Sequence, residues 1–186
     1  MNSRDIEERI QQFYEKTIES FHFLESEYGY FRSELQRSGF GDTRSAEVFI
    51  RYFGKKVAVE ITWAIGASAV SVGLYELLNG KIPDQEKVSF YGHEGFARGI
   101  HLDSLVRMLT DGKLISPLPE YVGDISFSEM CRRAEKATEM IKTDMDGILK
   151  NFAERLKKYA SDIVKGDTSI FPRVQEHHRK YWEVEI

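Results

Sequence analysis

Residues 57–76, which read VAVEITWAIGASAVSVGLYE, alternate apolar with polar or small side chains on both sides of a short break. The apolar positions are Val57, Val59, Ile61, Trp63 and Ile65 before the break, and Val70, Val72 and Leu74 after it. A period of two is typical of strands with one buried face. Gly66 to Ser68, at the break, favour a turn. The stretch therefore predicts two neighbouring strands of a half-buried antiparallel sheet.

The same alternation continues towards the N terminus of this pair. Two further runs show it, at Val48, Ile50 and Tyr52 and at Phe31, Ser33 and Leu35. Gly54-Lys55 favours a tight hairpin, and Asn79-Gly80 is a strong turn dipeptide. Residues 88–91 have the composition of a short fifth strand. We therefore expect a four- to five-stranded antiparallel meander.

Helical patterns occupy both ends of the chain. After a suitable N-cap at Ser3, apolar side chains recur three or four residues apart, at Ile6, Ile10, Phe13, Thr17, Phe21 and Leu24. Ser126 and Glu129 match a capping box, and a helical pattern then continues to Val164. A short terminal helix is expected over residues 171–182. The predicted fold class is α+β, with the first helix packed on the meander.

The long C-terminal helix exceeds what a small sheet can cover. Uninterrupted over residues 126–164, it would be about 58 Å long. Either it breaks near Asp146-Gly147, or part of it packs on a second subunit and forms a homodimer. We expect residues 1–123 to form an α+β domain and residues 124–186 a helical extension on the same core, so that the chain is one structural unit.

Composition limits the classes of function. The 186 residues carry a net charge of −4, and a nucleic-acid-binding protein would usually carry a basic surplus. The single cysteine, Cys131, excludes an intramolecular disulfide framework. No secretory signal pattern and no apolar run of about 20 residues is present. We therefore expect a soluble cytoplasmic protein that binds neither nucleic acid nor membrane.

Metal or catalytic chemistry has one candidate segment. His93-Glu94 and the pair His101 and Asp103 lie in a glycine-rich stretch, and imidazoles with carboxylates could bind zinc. Their spacing matches no established ligand pattern, so surface histidines are the favoured interpretation. Cys131 has no histidine near it in sequence. We assign no catalytic residue, no metal ligand and no cofactor.

One face of the predicted sheet mixes aromatic and charged side chains. The residues assigned to it are Tyr30, Arg32, Phe49, Arg51, Phe53 and Tyr75. Opposite charges there, among Glu34, Glu47, Glu60 and the two arginines, are interpreted as cross-strand pairs. Tyr, Phe and Arg are enriched at the centres of protein interfaces. This face is therefore expected either to lie under the long helix or to contact a protein partner.

The segment FLESEYGY at residues 23–30 closes the first helix and opens the sheet. It resembles a Phe-Leu-x-x-Glu-Tyr-Gly-Phe opening found in many small bacterial proteins of unassigned function, some of which look like immunity proteins. The resemblance covers about residues 19–80, and it assigns no functional residue.

Three functions remain open from the sequence. The first is a non-catalytic protein-binding module, immunity-like or regulatory, that neutralises or modulates a partner such as a toxin. It would use the aromatic sheet face or the acidic face of the first helix, at Glu7, Glu8 and Glu15. The second is a small enzyme with a metal or acid–base site between His93 and Asp103. The third is a structural protein that self-associates through the long helix.

Overall fold

The computed structural model describes residues 3–40, 46–82, 99–114, 116–119 and 126–182. The helices are α1 (Ser3–Ser26), α2 (Leu102–Leu109), α3 (Phe127–Tyr159), α4 (Ser161–Val164) and α5 (Phe171–Trp182). The strands are β1 (Phe31–Arg32), β2 (Gln36–Ser38), β3 (Glu47–Phe53), β4 (Val57–Ala64), β5 (Ala69–Glu76) and β6 (Gly99–His101). The predicted α+β architecture is confirmed.

The described strands form one antiparallel sheet in the order β1-β3-β4-β5-β6, with β2 also paired to β3. The first predicted strand is divided in two. The backbone N–H of Ser33 donates to the carbonyl of Arg51 at 2.8 Å, but the N–H of Arg51 donates to the Ser33 hydroxyl at 3.1 Å. A side chain thus replaces a backbone carbonyl in the ladder, and β1 ends at Arg32. The predicted strand at residues 88–91 lies outside the described residues.

The hydrophobic core lies between the sheet and α1. Burial along β3 alternates residue by residue, as the sequence period predicts. Two ring contacts fix the helix on the sheet: the Phe13 and Trp63 centroids are 5.9 Å apart, and those of Phe21 and Tyr52 are 6.4 Å apart. The period of two therefore places the β3 and β4 side chains as expected, with their apolar face against α1.

α3 begins at the predicted cap and bends close to Asp146-Gly147, where a break was one of the two alternatives. The Ser126 hydroxyl accepts from the backbone N–H of Glu129 at 3.2 Å. Asp144 has non-helical backbone angles, φ −143° and ψ 45°, and its carboxylate accepts from the N–H of Gly147 at 3.0 Å. Asp144 thus acts as an internal N-cap for the second half of α3, two residues before the predicted break.

The C-terminal helices pack on the same hydrophobic core as the sheet. The core includes Phe152 of α3, Ile163 of α4 and Phe171 of α5. α5 lies against α2 and β6, where Gln175 Nε2 donates to the carbonyl of Gly99 at 3.0 Å. No helix among the described residues is long and apolar enough to cross a membrane.

Candidate functional site

The sheet has one face that the core does not use. Every strand residue in the hydrophobic core cluster lies on the face towards α1: Val48, Ile50, Tyr52, Val57, Val59, Ile61, Trp63, Val70, Val72, Leu74 and Ile100. We call the opposite side the outer face, formed by the alternate positions of β3, β4 and β5. α3 contributes its buried side chains to the same core. The long helix therefore packs on the α1 side of the sheet.

The solvent exposure of the outer face differs from one side of the sheet to the other. Near β4 and β5 it is buried at Ala58 and Gly73, and Glu60 is only 9% exposed. Along β1 and β3 it is accessible, since Phe31 is 64% exposed and Phe49, Arg51 and Phe53 are partly exposed. Phe31, on the β1–β3 side, is therefore the most exposed side chain of this face, and another molecule can reach it directly.

Two residues assigned to this face from the sequence lie elsewhere. Tyr30 is 6% exposed within the core, and its hydroxyl donates to the carbonyl of Val164 at 2.9 Å. Arg32 pairs in register with Tyr52, so it belongs to the α1 side, where its guanidinium carbon lies 5.9 Å from the Tyr14 ring. The placement of Tyr30 and Arg32 on the aromatic face was wrong, because Phe31, which lies between them, is the residue on the outer face.

Phe31 is the outer-face residue that the sequence did not reveal. It pairs with Phe53 across β1 and β3, and the two rings stack with centroids 5.1 Å apart and planes 15° apart. An apolar side chain in a short strand is ordinarily assigned to the core. A strand of two residues contains no alternation that could have indicated otherwise.

Beside this stacked pair lies an ion pair. Arg51 and Glu60 face each other across β3 and β4, as the cross-strand interpretation predicts, and Arg51 Nε donates to Glu60 Oε2 at 2.6 Å. The guanidinium carbon of Arg51 also lies 4.6 Å from the centre of the Phe49 ring. Thr62 donates to the other carboxylate oxygen at 3.3 Å. The carboxylate thus holds Arg51 in one orientation.

Tyr75 lies further across the outer face, and its ring packs against two glycines. Its hydroxyl donates to Glu60 Oε1 at 3.4 Å. A Cβ atom at Gly73 would lie 2.7 Å from the tyrosine ring, and one at Gly99 would lie 2.6 Å from it. Only glycine leaves room for the ring at these positions. Gly73 also pairs with both Glu60 and His101, so Arg51, Glu60, Gly73 and His101 form one row across four strands.

The acidic side chains predicted on the first helix form a separate surface. Glu7, Glu8 and Glu15 are exposed on α1, which covers the opposite side of the sheet. Arg37 donates to both carboxylate oxygens of Glu7 at 2.7 Å, and these hydrogen bonds lower the pKa of Glu7. Gln11 donates to Glu15 at 2.8 Å. The acids of α1 and the aromatic residues of the outer face therefore cannot contact one small ligand together.

The histidine segment is described only in part. His93 and Glu94 lie outside the described residues. Asp103 is 3.5 Å from Arg155 of α3, and burial lowers the pKa of His101. Within the parts of the chain that the structure describes, no three His, Cys, Asp or Glu side chains cluster closely enough to hold a metal ion.

No protein-family model, no curated protein and no solved structure matches the sequence. The resemblance of residues 23–30 to an opening found in small bacterial proteins stays a prediction.

Proposed function

We propose that the protein is a non-catalytic protein-binding module, and that its contact surface is the accessible side of the outer face. We call this surface the aromatic patch and define it as Phe31, Phe49, Arg51 and Phe53. The observation that carries the proposal is the Phe31–Phe53 stack, in which an aromatic ring that is 64% exposed stands on the sheet face away from the core.

The composition and rigidity of the patch both favour binding. Aromatic and arginine side chains are the residues that most often dominate the energy of a protein interface. Stacking fixes Phe31 against Phe53, and Glu60 with Phe49 fixes Arg51. Side chains that are already ordered lose less conformational entropy when a partner docks. A partner with a matching apolar protrusion would therefore bind with most of the free energy released by burying the phenylalanine rings, because little of it is lost in ordering them.

The partner proposed is a protein. Single-stranded nucleic acid also stacks on aromatic rings, but it needs a basic groove, whereas Arg51 is paired with Glu60 and Glu47 lies on the same face. Within this proposal the module neutralises or regulates its partner in the cytoplasm, as an immunity protein does to a toxin. The acidic surface of α1 would serve as a second contact, on the other side of the molecule.

Site-specific photo-crosslinking in the native host tests this proposal. A benzoylphenylalanine at position 31 should form one discrete crosslinked protein, while the same group at the exposed Lys142 of α3 should not. The crosslinked protein, once purified, should bind the wild-type chain, and Phe31→Asp should weaken that binding at least about tenfold. Equal binding by wild type and Phe31→Asp would reject the patch.

Coexpression tests the immunity-like form of the proposal. If the crosslinked protein is toxic when expressed alone, the wild-type chain should restore growth and Phe31→Asp should not. A partner that is not toxic would leave a regulatory module as the function.

Self-association is a second candidate, favoured by the first part of α3. None of residues 127–136 is buried, and Phe127 and Met130 are 75% and 39% exposed. Residues three apart lie on one side of a helix, so these two form an apolar pair. Sedimentation equilibrium at two concentrations should show a dimer that Phe127→Ser with Met130→Ser removes and Phe31→Ser does not. A monomer at both concentrations would exclude it.

A further inference from the structure

Arg51 has hydrogen-bonding capacity left at its outer edge. Arginine carries five N–H donors in a planar fork, and here Nε donates to Glu60. Among the described residues, no hydrogen-bond partner is found for Nη1 and Nη2, and neither atom is buried without a partner. The side chain is 25% exposed. The two terminal nitrogens are therefore open to a ligand that approaches from solvent.

This edge is held in a fixed position. Glu60 is 9% exposed and is itself fixed by hydrogen bonds from Thr62 and Tyr75. The Phe49 ring packs against the guanidinium. An arginine held in this way loses little side-chain entropy when a second acceptor binds, and two parallel N–H donors match the two oxygens of a carboxylate.

The distance from Arg51 to the Phe31–Phe53 stack determines which partner side chain can lie beside the carboxylate. Arg51 and Phe53 are two residues apart on β3, so their backbones are about 7 Å apart along the strand. An extended partner segment has the same repeat. A carboxylate at one position and an apolar side chain two residues away would then meet Arg51 and the Phe31–Phe53 stack together.

The charges on this face favour a carboxylate over a phosphate. Glu60 already neutralises the single charge of Arg51, and Glu47 lies on the same face of β3. The site therefore has no net positive charge, and it repels a phosphate with nearly two negative charges more strongly than a carboxylate with one. A carboxylate needs only two of the four remaining N–H donors of Arg51.

We propose that the aromatic patch binds an extended acidic segment of the partner protein. An Asp or Glu of that segment accepts hydrogen bonds from Nη1 and Nη2 of Arg51, and an apolar side chain two residues away packs on Phe31 and Phe53. This inference rests on the proposed protein-binding function and specifies the chemistry of its partner.

Two peptides test the inference: Gly-Ser-Phe-Thr-Glu-Ser-Gly and the same sequence with Gln in place of Glu. In NMR titrations, the Glu peptide should bind wild type about five to ten times more tightly and shift the Arg51 side-chain signals. The variant Arg51→Met with Glu60→Gln leaves no unpaired charge, and its affinities for the two peptides should be equal. Arg173→Met, at an exposed arginine on α5, is the matched control and should keep the preference.

Four results would overturn the inference. They are equal binding of both peptides to wild type, an unchanged preference in the double variant, displacement of the Glu peptide by millimolar inorganic phosphate, and failure of both peptides to bind. The proposed function would survive each of these results if crosslinking at position 31 still captured a partner whose binding Phe31→Asp weakens.

Discussion

The hydroxyl of Tyr30 donates to the backbone carbonyl of Val164 at 2.9 Å, across 134 residues of sequence. Tyr30 precedes β1, and Val164 ends α4. Burial raises the pKa of Tyr30 well above its usual value, which favours the protonated hydroxyl that donates this bond. This bond joins the start of the sheet to the C-terminal helices and places Phe31, the next residue, on the outer face.

Tyr30→Phe should destabilise the protein by about 1 to 2 kcal/mol, because it leaves a buried carbonyl without its donor. Urea unfolding followed by circular dichroism measures the effect. Tyr28→Phe is the matched control: Tyr28 is half-buried and makes an edge contact with Phe23, so its change should be smaller. Equal losses in the two variants would show that the bond to Val164 contributes nothing specific.

Gly54→Ala should also destabilise the protein, by about 1 to 3 kcal/mol, through overpacking. A Cβ at Gly54 would lie 2.5 Å from Cζ of Tyr30, and the bond to Val164 prevents the ring from moving away. Tyr30→Leu removes the obstructing atoms. The combined variant should therefore lose less stability than the sum of the two single variants, whereas additive losses would place the strain elsewhere.

Local periodicity was sufficient to predict most of the sheet. β3, β4 and β5 are long enough for an alternation of two to fix both their existence and their buried face. Pairs of opposite charge on this face were also expected, and in the structure the hairpin at Gly54 sets the register that places Arg51 opposite Glu60. The capping box predicted the cap at Ser126, and the length of α3 made a break near Asp146-Gly147 one of two alternatives.

The misassigned part of the site depends on contacts that no local pattern contains. β1 is two residues long, so its phase is set by the Ser33 hydroxyl bonded to Arg51 and by Tyr30 bonded to Val164. Both are side-chain bonds to distant backbone. The face of the sheet on which α3 packs is likewise decided by tertiary contacts. The apolar stripe of a helix does not indicate which face of a sheet the helix will cover.

Arg51→Met should destabilise the protein by about 2 to 4 kcal/mol, because it leaves the carboxylate of Glu60 buried without its cation. Adding Glu60→Gln should restore most of that loss, since an amide needs no counter-charge and can still accept from Thr62. Thermal unfolding of the two single variants and the double variant measures the coupling. If the double variant loses as much as Arg51→Met alone, the ion pair is not what holds Arg51.

Asp144→Ala should lower stability by about 1 kcal/mol, because it removes the acceptor for the N–H of Gly147 at the bend. Asp144→Ser keeps a capping oxygen and should lose only part of this. Lys142→Ala, at an exposed position two residues earlier, is the control for a simple surface change. Unchanged stability for Asp144→Ala would show that the bond to Gly147 does not stabilise the bend.

His178 provides a pH dependence whose sign follows from its surroundings. Its Nδ1 lies 2.8 Å from the hydroxyl of Ser104, which joins α5 to α2. Burial, together with repulsion from His101, Arg107 and His177, lowers the pKa of His178 to about 4. The ordinary value is 6.5. Between about pH 4 and 6.5 the unfolded chain therefore binds a proton that the folded chain excludes, and stability falls as the pH drops through this window.

The free energy of unfolding should thus be lower at pH 5 than at pH 7, and His178 should contribute about 1 to 2 kcal/mol of the difference once its shift is discounted for partial exposure. His178→Gln cannot bind the proton, so its stability should change less between the two pH values even if it is less stable at both. His22→Gln, at a histidine whose side chain is 67% exposed, should keep the wild-type dependence. Urea titrations at pH 5, 6 and 7 measure all three proteins. If His178→Gln shows the same change in unfolding free energy with pH as the wild type, other groups cause that change. His178 would then accept a proton in the folded chain as readily as in the unfolded chain.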